Sequence, residues 1–265
     1  SSRLSLQSAC YSGRANASVH EVTGDGSGTL VVWQDVQLIA AAVRVIENHT
    51  LKLEGGLLGA HQMTIGRNGG LGLFGQNVTN FQSLTMLGDA ATLILAGAGL
   101  SSNVVTLDAG AVRVEGRATI QASQLRLGAN VTISGVGGST YTTGRRSNAG
   151  TGPGAPSQHT NGRGGGTHGG RGGFASYTSD AYVYGDVFGP VTMGSGGAGV
   201  SQYAARGGAA LRLQVAGELR LDGSISVDGQ ATLRSGGGAG GSVWIEAGTL
   251  SGGGGSVSAN GGDAW

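Results

Sequence analysis

The segments LTMLGDAATLILAG (Leu84–Gly97) and VTLDAGAVRVEG (Val105–Gly116) share one pattern. In each, two short runs that alternate apolar and polar residues flank a turn containing Gly, Asp and Ala. Alternation with a period of two is typical of β-strands that bury one face. A helix would need apolar residues at spacings of three and four, and frequent glycines disfavour it. The pattern therefore predicts short strands joined by tight turns.

The pattern recurs along the chain at a nearly constant interval. Units begin at Val43, Met63, Leu84, Val105 and Leu125, so neighbouring starts are 20 or 21 residues apart. A fixed period of this length, with two or three strands per unit, is typical of solenoids whose coils stack strand on strand. We therefore predict an all-β fold, a right-handed parallel β-helix.

A longer repeat follows near the end of the chain. Residues 211–230 read LRLQVAGELRLDGSISVDGQ, and residues 243–262 read VWIEAGTLSGGGGSVSANGG. Their matching positions are 31 or 32 residues apart, which predicts wider coils or coils that carry a loop. No amphipathic helix is expected to cap either end, and open strand edges pair with other chains. End-to-end stacking, or continuation into further domains, follows as a hypothesis.

Between the two repeats lies a glycine-rich segment that contains all three prolines. A flexible Gly/Ser linker would not concentrate aromatic residues, so we predict an ordered excursion, with a disordered loop as the alternative. Its aromatic residues are Tyr141, Phe174, Tyr177, Tyr182, Tyr184, Phe188 and Tyr203. The predicted organisation is one continuous domain with a lead-in over 1–29, coils of about 20–21 residues over 30–134, the excursion over 135–208 and wider coils over 209–265.

Composition and charge exclude several classes of protein. Glycine accounts for 56 of 265 residues, without the Gly-X-Y period of collagen. The formal net charge is +1, which does not favour nucleic-acid binding. No apolar run reaches the roughly 18 residues of a membrane span. The chain starts without Met, as expected of a mature chain or of a segment of a longer one.

Four Asn-x-Ser/Thr sequons mark the compartment. They begin at Asn16, Asn48, Asn77 and Asn130, and three fall in turn-like parts of the repeat, where a glycan would point outward. We therefore predict an N-glycosylated protein at the cell surface or outside the cell. Cys10 is the only cysteine. It is predicted to form an intermolecular disulfide, with a buried free thiol as the alternative.

The stretch NGRGGGTHGGRGGF (161–174) contains several apparent motifs. Its G-x-G-x-x-G lacks the preceding strand and following helix of a dinucleotide site. The only lysine of the chain is Lys52, which lies far from this stretch, so a P-loop is excluded as well. The excursion has five arginines against Asp180 and Asp186, which is too little positive charge and too few repeats for an RNA-binding Arg-Gly segment. The five histidines have no ligand spacing, and the aspartates stand singly in turns. We therefore predict neither a cofactor nor a metal.

His168 is the one candidate for acid–base chemistry in this stretch. Polygalacturonases, which are parallel β-helices, use a Gly-His-Gly with clustered aspartates, whereas here the match is Thr167-His168-Gly169 without an Asp pair. Glycosidic cleavage needs two neighbouring carboxyl groups, and the scattered acids of this chain do not predict them. An enzyme is therefore not expected, and a polysaccharide lyase or hydrolase remains the lesser alternative.

The order of motifs over about residues 125–262 resembles a glycine-rich β-helix repeat module. It runs from GGTHGGRGGFAS through Tyr184-Gly-Asp to GGAALRLQVAGELRLDGSISVDG and GGGAGGSVWIEAGTLSGGGGSVSANGG. Such modules occur, often in tandem, in very large secreted surface proteins. The resemblance implies a structural role in an extracellular filament, surface hair or matrix, with copies of the chain or neighbouring modules as partners. It supplies no catalytic residues.

The alternative function is adhesion through carbohydrate binding. In that case the aromatic residues and arginines of the excursion would form the contact surface, and extracellular polysaccharide would be a partner. Aromatic rings and guanidinium groups are common in such surfaces because they offer flat apolar faces beside hydrogen-bond donors. The candidate residues are Arg163, His168, Arg171, Tyr182 and Tyr184.

Overall fold

A computed structural model describes most of the chain. The described residues are 3–5, 10–11, 15–23, 28–33, 36–46, 48–55, 57–75, 78–137, 152–155, 164–169, 182–199, 205–232 and 236–263. Within these ranges the fold is all-β, as predicted, and contains no helix. It follows that none of the described residues form a helix long and apolar enough to span a membrane.

Fifteen strands are described. The first nine are β1 (Arg3–Ser5), β2 (Cys10–Tyr11), β3 (Ala15–Thr23), β4 (Gly28–Trp33), β5 (Val36–Val45), β6 (His49–Glu54), β7 (Leu57–Ile65), β8 (Gly70–Phe74) and β9 (Val78–Met86). The remaining six are β10 (Thr92–Gly137), β11 (Gly207–Gly208), β12 (Ala210–Leu221), β13 (Ser224–Ser226), β14 (Ser242–Ser251) and β15 (Ser256–Ser258).

These strands form one sheet that curls into a half-barrel. Odd-numbered strands β1 to β9 are neighbours in one row, even-numbered strands β2 to β8 in another, and β10 joins both rows. Pairing is parallel except between β10 and the short β11. Because consecutive strands belong to different rows, each row advances by two strands along the chain, and a strand pairs with its counterpart from the next sequence unit.

The registers repeat the period seen in the sequence. Val43 is in register with Met63, Met63 with Leu84, and Leu84 with Val105, so three of the predicted spacings are spacings of paired residues. These four side chains point inward, and none is more than 1% exposed. The two-residue alternation therefore builds a continuous inward column, one apolar side chain per unit.

A second column comes from the even-numbered row. Leu53, Leu73 and Leu95 are in register and have 0% exposure. Full burial of a leucine contributes about 1.5–3 kcal/mol, so such columns form the main apolar core.

The corners between the two rows also stack. Asn48, Asn68 and Ala90 have positive φ angles of 66°, 56° and 60°, and the Asn48 N–H donates to the Asn68 carbonyl at 3.2 Å. Asparagine tolerates this left-handed conformation better than other non-glycine residues do. The turn residues predicted from the sequence thus lie at equivalent positions of successive units.

The last strands follow a wider interval. Leu211 of β12 is in register with Val243 of β14, 32 residues later, and Ser224 of β13 with Ser256 of β15. Strand β12 itself pairs with β10, where Ala118 lies opposite Leu211. The excursion therefore leaves the sheet after β10 and returns at β11, and the wide units continue the same stack.

Candidate functional site

Glycine-rich segments from the excursion and from the wider units after it hydrogen-bond to one another in several directions. The segment Gly236–Gly241 donates to Ala198 and Ser195 on one side and to Gln230 and Val227 on another. It accepts from three further segments, through the amides of Gly166, Gly208 and Gly262. A strand in a sheet has two neighbouring strands, whereas the segment Gly236–Gly241 hydrogen-bonds to five other segments. We call the segments 164–169, 194–198, 205–209, 227–232, 236–241 and 259–263 the glycine lattice.

Close backbone approach explains why the glycine lattice needs glycine. A Cβ added at Gly237 would lie 1.8 Å from the Gly262 carbonyl oxygen, and one at Gly208 would lie 1.7 Å from that of Val227. Real Cβ atoms essentially never come within 3.0 Å of such an atom. Hydrogen-bonded main chains on several sides leave no room for side chains, so the abundance of glycine is a packing requirement here.

His168 lies at the rim of the glycine lattice and links three segments. Its Nδ1 lies 2.9 Å from the Gly240 carbonyl oxygen and its Nε2 lies 2.8 Å from Oγ1 of Thr192. A carbonyl oxygen only accepts, so Nδ1 carries the proton and Nε2 accepts from the Thr192 hydroxyl. Burial lowers the pKa of His168 and outweighs the hydrogen bonds to the main chain at Gly240 and Gly241, which raise it.

Tyr184 packs beside His168, with the ring centroids 4.9 Å apart. Its hydroxyl donates to the Met193 carbonyl and accepts from the Ser195 hydroxyl at 2.8 Å, and Ser195 Oγ accepts from the Gly154 amide. Burial raises the pKa of Tyr184. Both rings thus fix the segment around Met193 against the glycine lattice.

The pair of Thr192 and His168 resembles a nucleophile and its base, but the third partner differs. In a catalytic triad a carboxylate accepts from Nδ1 and stabilises the imidazolium. Here the neutral carbonyl of Gly240 takes that place, and the lowered pKa of His168 agrees with a neutral ring. The geometry therefore supports a hydrogen-bonding role for His168 between segments.

The other predicted contact residues are placed differently. Tyr182 is 62% exposed, and its ring is 6.4 Å from that of Tyr184, whose hydroxyl points inward. Arg163 and Arg171 lie outside the described residues. The structure brings together His168, Tyr182 and Tyr184, and of these three described residues Tyr182 alone is exposed over most of its area.

The predicted modification sites are scattered along the stack. Asn48 is exposed at a corner, and Asn130 is exposed on β10. The backbone of Asn16 pairs with Gln37, and that of Cys10 pairs with Val31. Asn77 lies outside the described residues.

Sequence reasoning missed a row of polar side chains on the outer face of the curled sheet. Gln121 Nε2 donates to Gln214 Oε1 at 2.8 Å, and Gln214 Nε2 donates to Glu246 Oε2 at 3.0 Å. Arg212 pairs with the same carboxylate at 2.8 Å and lies 4.0 Å from the ring centroid of Trp244. The 31–32-residue repeat aligns residues 214 and 246 but gives no reason to add residue 121.

No three His, Cys, Asp or Glu side chains among the described residues are grouped as metal ligands would be. Comparisons of the chain with protein-family models, with curated proteins and with solved structures find no match.

Proposed function

We propose that this chain is a structural module of an extracellular glycoprotein, built as a right-handed parallel β-helix that stacks end to end with the next module. The stacked modules form a filament, surface hair or matrix. The partner that we assign to the open end is an equivalent module, either a second copy or a neighbour in a longer chain. The observation that carries the proposal is the state of the last coil.

The last coil leaves its inward column uncovered. Leu219 has 0% exposure, whereas its register partner Leu250, one coil later, is 65% exposed. Ile225 is 1% exposed and its partner Val257 is 46% exposed. These apolar side chains occupy positions that the preceding coils of described burial cover with their successors, so a further coil is the surface that fits them.

The polar groups between coils repeat in the same way. Asp228 accepts from the Asn260 amide and, at 2.8 Å, from the Ser258 hydroxyl of the next coil. Asn260 occupies the position of Asp228 in the last coil, two residues after Ser258. Its side-chain oxygen can accept from a following coil as the Asp228 carboxylate does, so the polar bridge can continue as well.

Two further features support a role outside the cell. The sequons at Asn48 and Asn130 lie on exposed parts of the stack, where a glycan would not disturb the core. Hydrogen bonds between coils and within the glycine lattice run through main-chain groups, which gives mechanical continuity along the stack.

The test is assembly of the purified chain and of two variants. Analytical ultracentrifugation and negative-stain microscopy are expected to show elongated oligomers that grow with protein concentration. The double variant L250E/V257K should remain monomeric, because charges would replace the apolar surface that a second coil covers.

The control variant is V187K/F188K, which removes two side chains that are 85% and 91% exposed on the excursion. It should assemble like the unmodified chain. An unmodified chain that remains monomeric at every concentration would contradict end-to-end stacking of copies, as would assembly that survives L250E/V257K.

A second candidate function is adhesion through glycan binding. The polar row on the outer face favours it, since amide and carboxylate groups beside an aromatic ring are suited to sugar hydroxyls and sugar faces.

A further inference from the structure

A groove of about 550 Å³ opens on the outer face of the stack, away from the excursion. Its size is within the range of ligand-binding clefts. Hydroxyl and amide groups of Ser101, Ser102, Ser123, Gln121 and Gln214 line it, together with the Glu246 carboxylate and small apolar side chains. The groove therefore presents a polar surface that crosses several coils.

The floor of the groove is an ordered row with one polar side chain per coil. Gln121, Gln214 and Glu246 are in register, and the two hydrogen bonds between them fix their orientation. Each glutamine amide group has two N–H bonds. One joins the row, which leaves a second donor on each amide for a ligand.

A bulge shapes the wall of the groove. Strand β12 has one residue more than each of its neighbours at this corner, where the register shifts after Ala122 on one side and after Val215 on the other. A Cβ at Gly217 would meet the Ser123 carbonyl at 2.7 Å, and one at Gly248 would meet that of Ala216 at 2.7 Å. Bulges bend a strand and redirect its side chains, and these glycines let the bent backbones pack closely. The concavity is thus built into the main chain.

Charge at the groove is balanced. Glu246 accepts from Arg212 and from Gln214, and these hydrogen bonds lower the pKa of its carboxyl group. The site therefore holds one carboxylate that is already neutralised by a neighbouring guanidinium. Such a surface does not attract a polyanion, and it offers both donors and acceptors to hydroxyl groups.

We propose that this groove binds an uncharged glycan chain that lies along the axis of the stack, an inference that rests on the second candidate function, adhesion through glycan binding, and not on end-to-end assembly. Neighbouring strands are about 4.8 Å apart, a spacing of the same order as the advance of one sugar ring along a linear glycan. Successive coils would then present an equivalent polar group to successive sugars. At the bulge, the exposed and small side chain of Ala216 leaves room for the rings.

The experiment is isothermal titration calorimetry with cellohexaose and mannohexaose as neutral probes and polygalacturonate as the charged one. It is carried out on the L250E/V257K variant, so that its result does not depend on assembly. We expect binding of at least one neutral oligosaccharide and none of polygalacturonate. Failure of both neutral probes, or preference for polygalacturonate, would overturn the proposal.

Two groove variants and two controls locate the site. Q214A removes the free amide donor that Gln214 offers to a ligand, and since one hydrogen bond contributes about 0.5–1.5 kcal/mol we expect roughly two- to tenfold weaker binding. A216W should abolish binding by filling the groove. Far-UV circular dichroism checks that both variants fold.

Q82A alters an exposed glutamine on β9, outside the groove, and should bind as the parent does. Y182A tests the excursion in the same way. Binding that survives Q214A and A216W but is lost in Y182A would transfer the site to the excursion and refute the groove.

Discussion

Replacing Gly238 by alanine tests whether the glycine lattice is as closely packed as the structure shows. The new Cβ would lie 1.9 Å from the Arg206 carbonyl oxygen, so the two main chains would have to separate by about 1.1 Å to reach the shortest real contact of 3.0 Å. That movement is larger than the range of roughly 0.5 Å over which N–H···O distances vary in proteins. It would therefore disrupt the bonds that hold this segment.

Two hydrogen bonds involve Gly238 directly. Its amide donates to the Gln230 carbonyl at 3.0 Å, and its carbonyl accepts from the Gly262 amide at 2.8 Å. Leaving a buried polar group unpaired costs about 1–3 kcal/mol, so losing both bonds lowers the free energy of unfolding by about 2–6 kcal/mol. The reduced freedom of alanine in the unfolded chain offsets only about 0.4–1 kcal/mol.

Gly99 provides the matched control. A Cβ added there would have no atom within 4 Å, and its φ is not positive. Gly99→Ala should therefore leave stability unchanged or raise it by about 0.4–1 kcal/mol. Urea unfolding followed by circular dichroism measures both variants. Equal stabilities for Gly238→Ala and Gly99→Ala would refute close packing of the lattice.

Three further predictions concern single side chains. Burial lowers the pKa of His168 below its unfolded value of about 6.5. The contribution of the neutral ring to stability is therefore complete above that pH and is lost as the pH falls through the folded pKa. In His168→Gln the urea midpoint should vary less with pH than in the unmodified chain. Leu219→Ala should cost about 2–5 kcal/mol, whereas Leu250→Ala should cost less than about 1 kcal/mol in the monomer, and similar losses would contradict an open end. Ala90 has a φ of 60°, in the left-handed region that is unfavourable for a residue with a Cβ. Ala90→Gly should therefore raise the free energy of unfolding by about 1 kcal/mol and raise the thermal midpoint with it. A lower midpoint would contradict the left-handed corner.

The sequence alone predicted the strand class and the pairing interval because both depend on local pattern. Alternation places every second side chain inward whatever the neighbouring coil contains, and a constant interval brings equal positions into register. The alignment of Val43, Met63 and Leu84 in one buried column follows from these two facts. The handedness of the proposed β-helix does not follow from alternation and a constant interval, since both patterns are the same for either hand.

The glycine lattice and the polar groove depend on long-range pairing, which local pattern does not contain. Glycine has no side chain to alternate, so a run such as Gly236–Gly241 gives no sign of which carbonyls will face it. Likewise Gln121 and Gln214 become neighbours only because the excursion between them returns to the same stack. The predicted cluster around His168 was incomplete for the same reason, since its partners Thr192 and Gly240 lie 24 and 72 residues away.

The glycine lattice and the paired strands advance in the same direction, one wide sequence unit at a time. Gly236–Gly241 leads directly into β14, and Val227 begins the segment that follows β13, so each wide unit contributes both a coil and a lattice segment. In the last unit the coil presents Leu250 with its side chain uncovered. A following module that continued both parts would cover apolar side chains on one half of the surface and would pair main-chain groups on the other. Because these two requirements differ in chemistry, few surfaces other than a further unit of the same repeat would meet both.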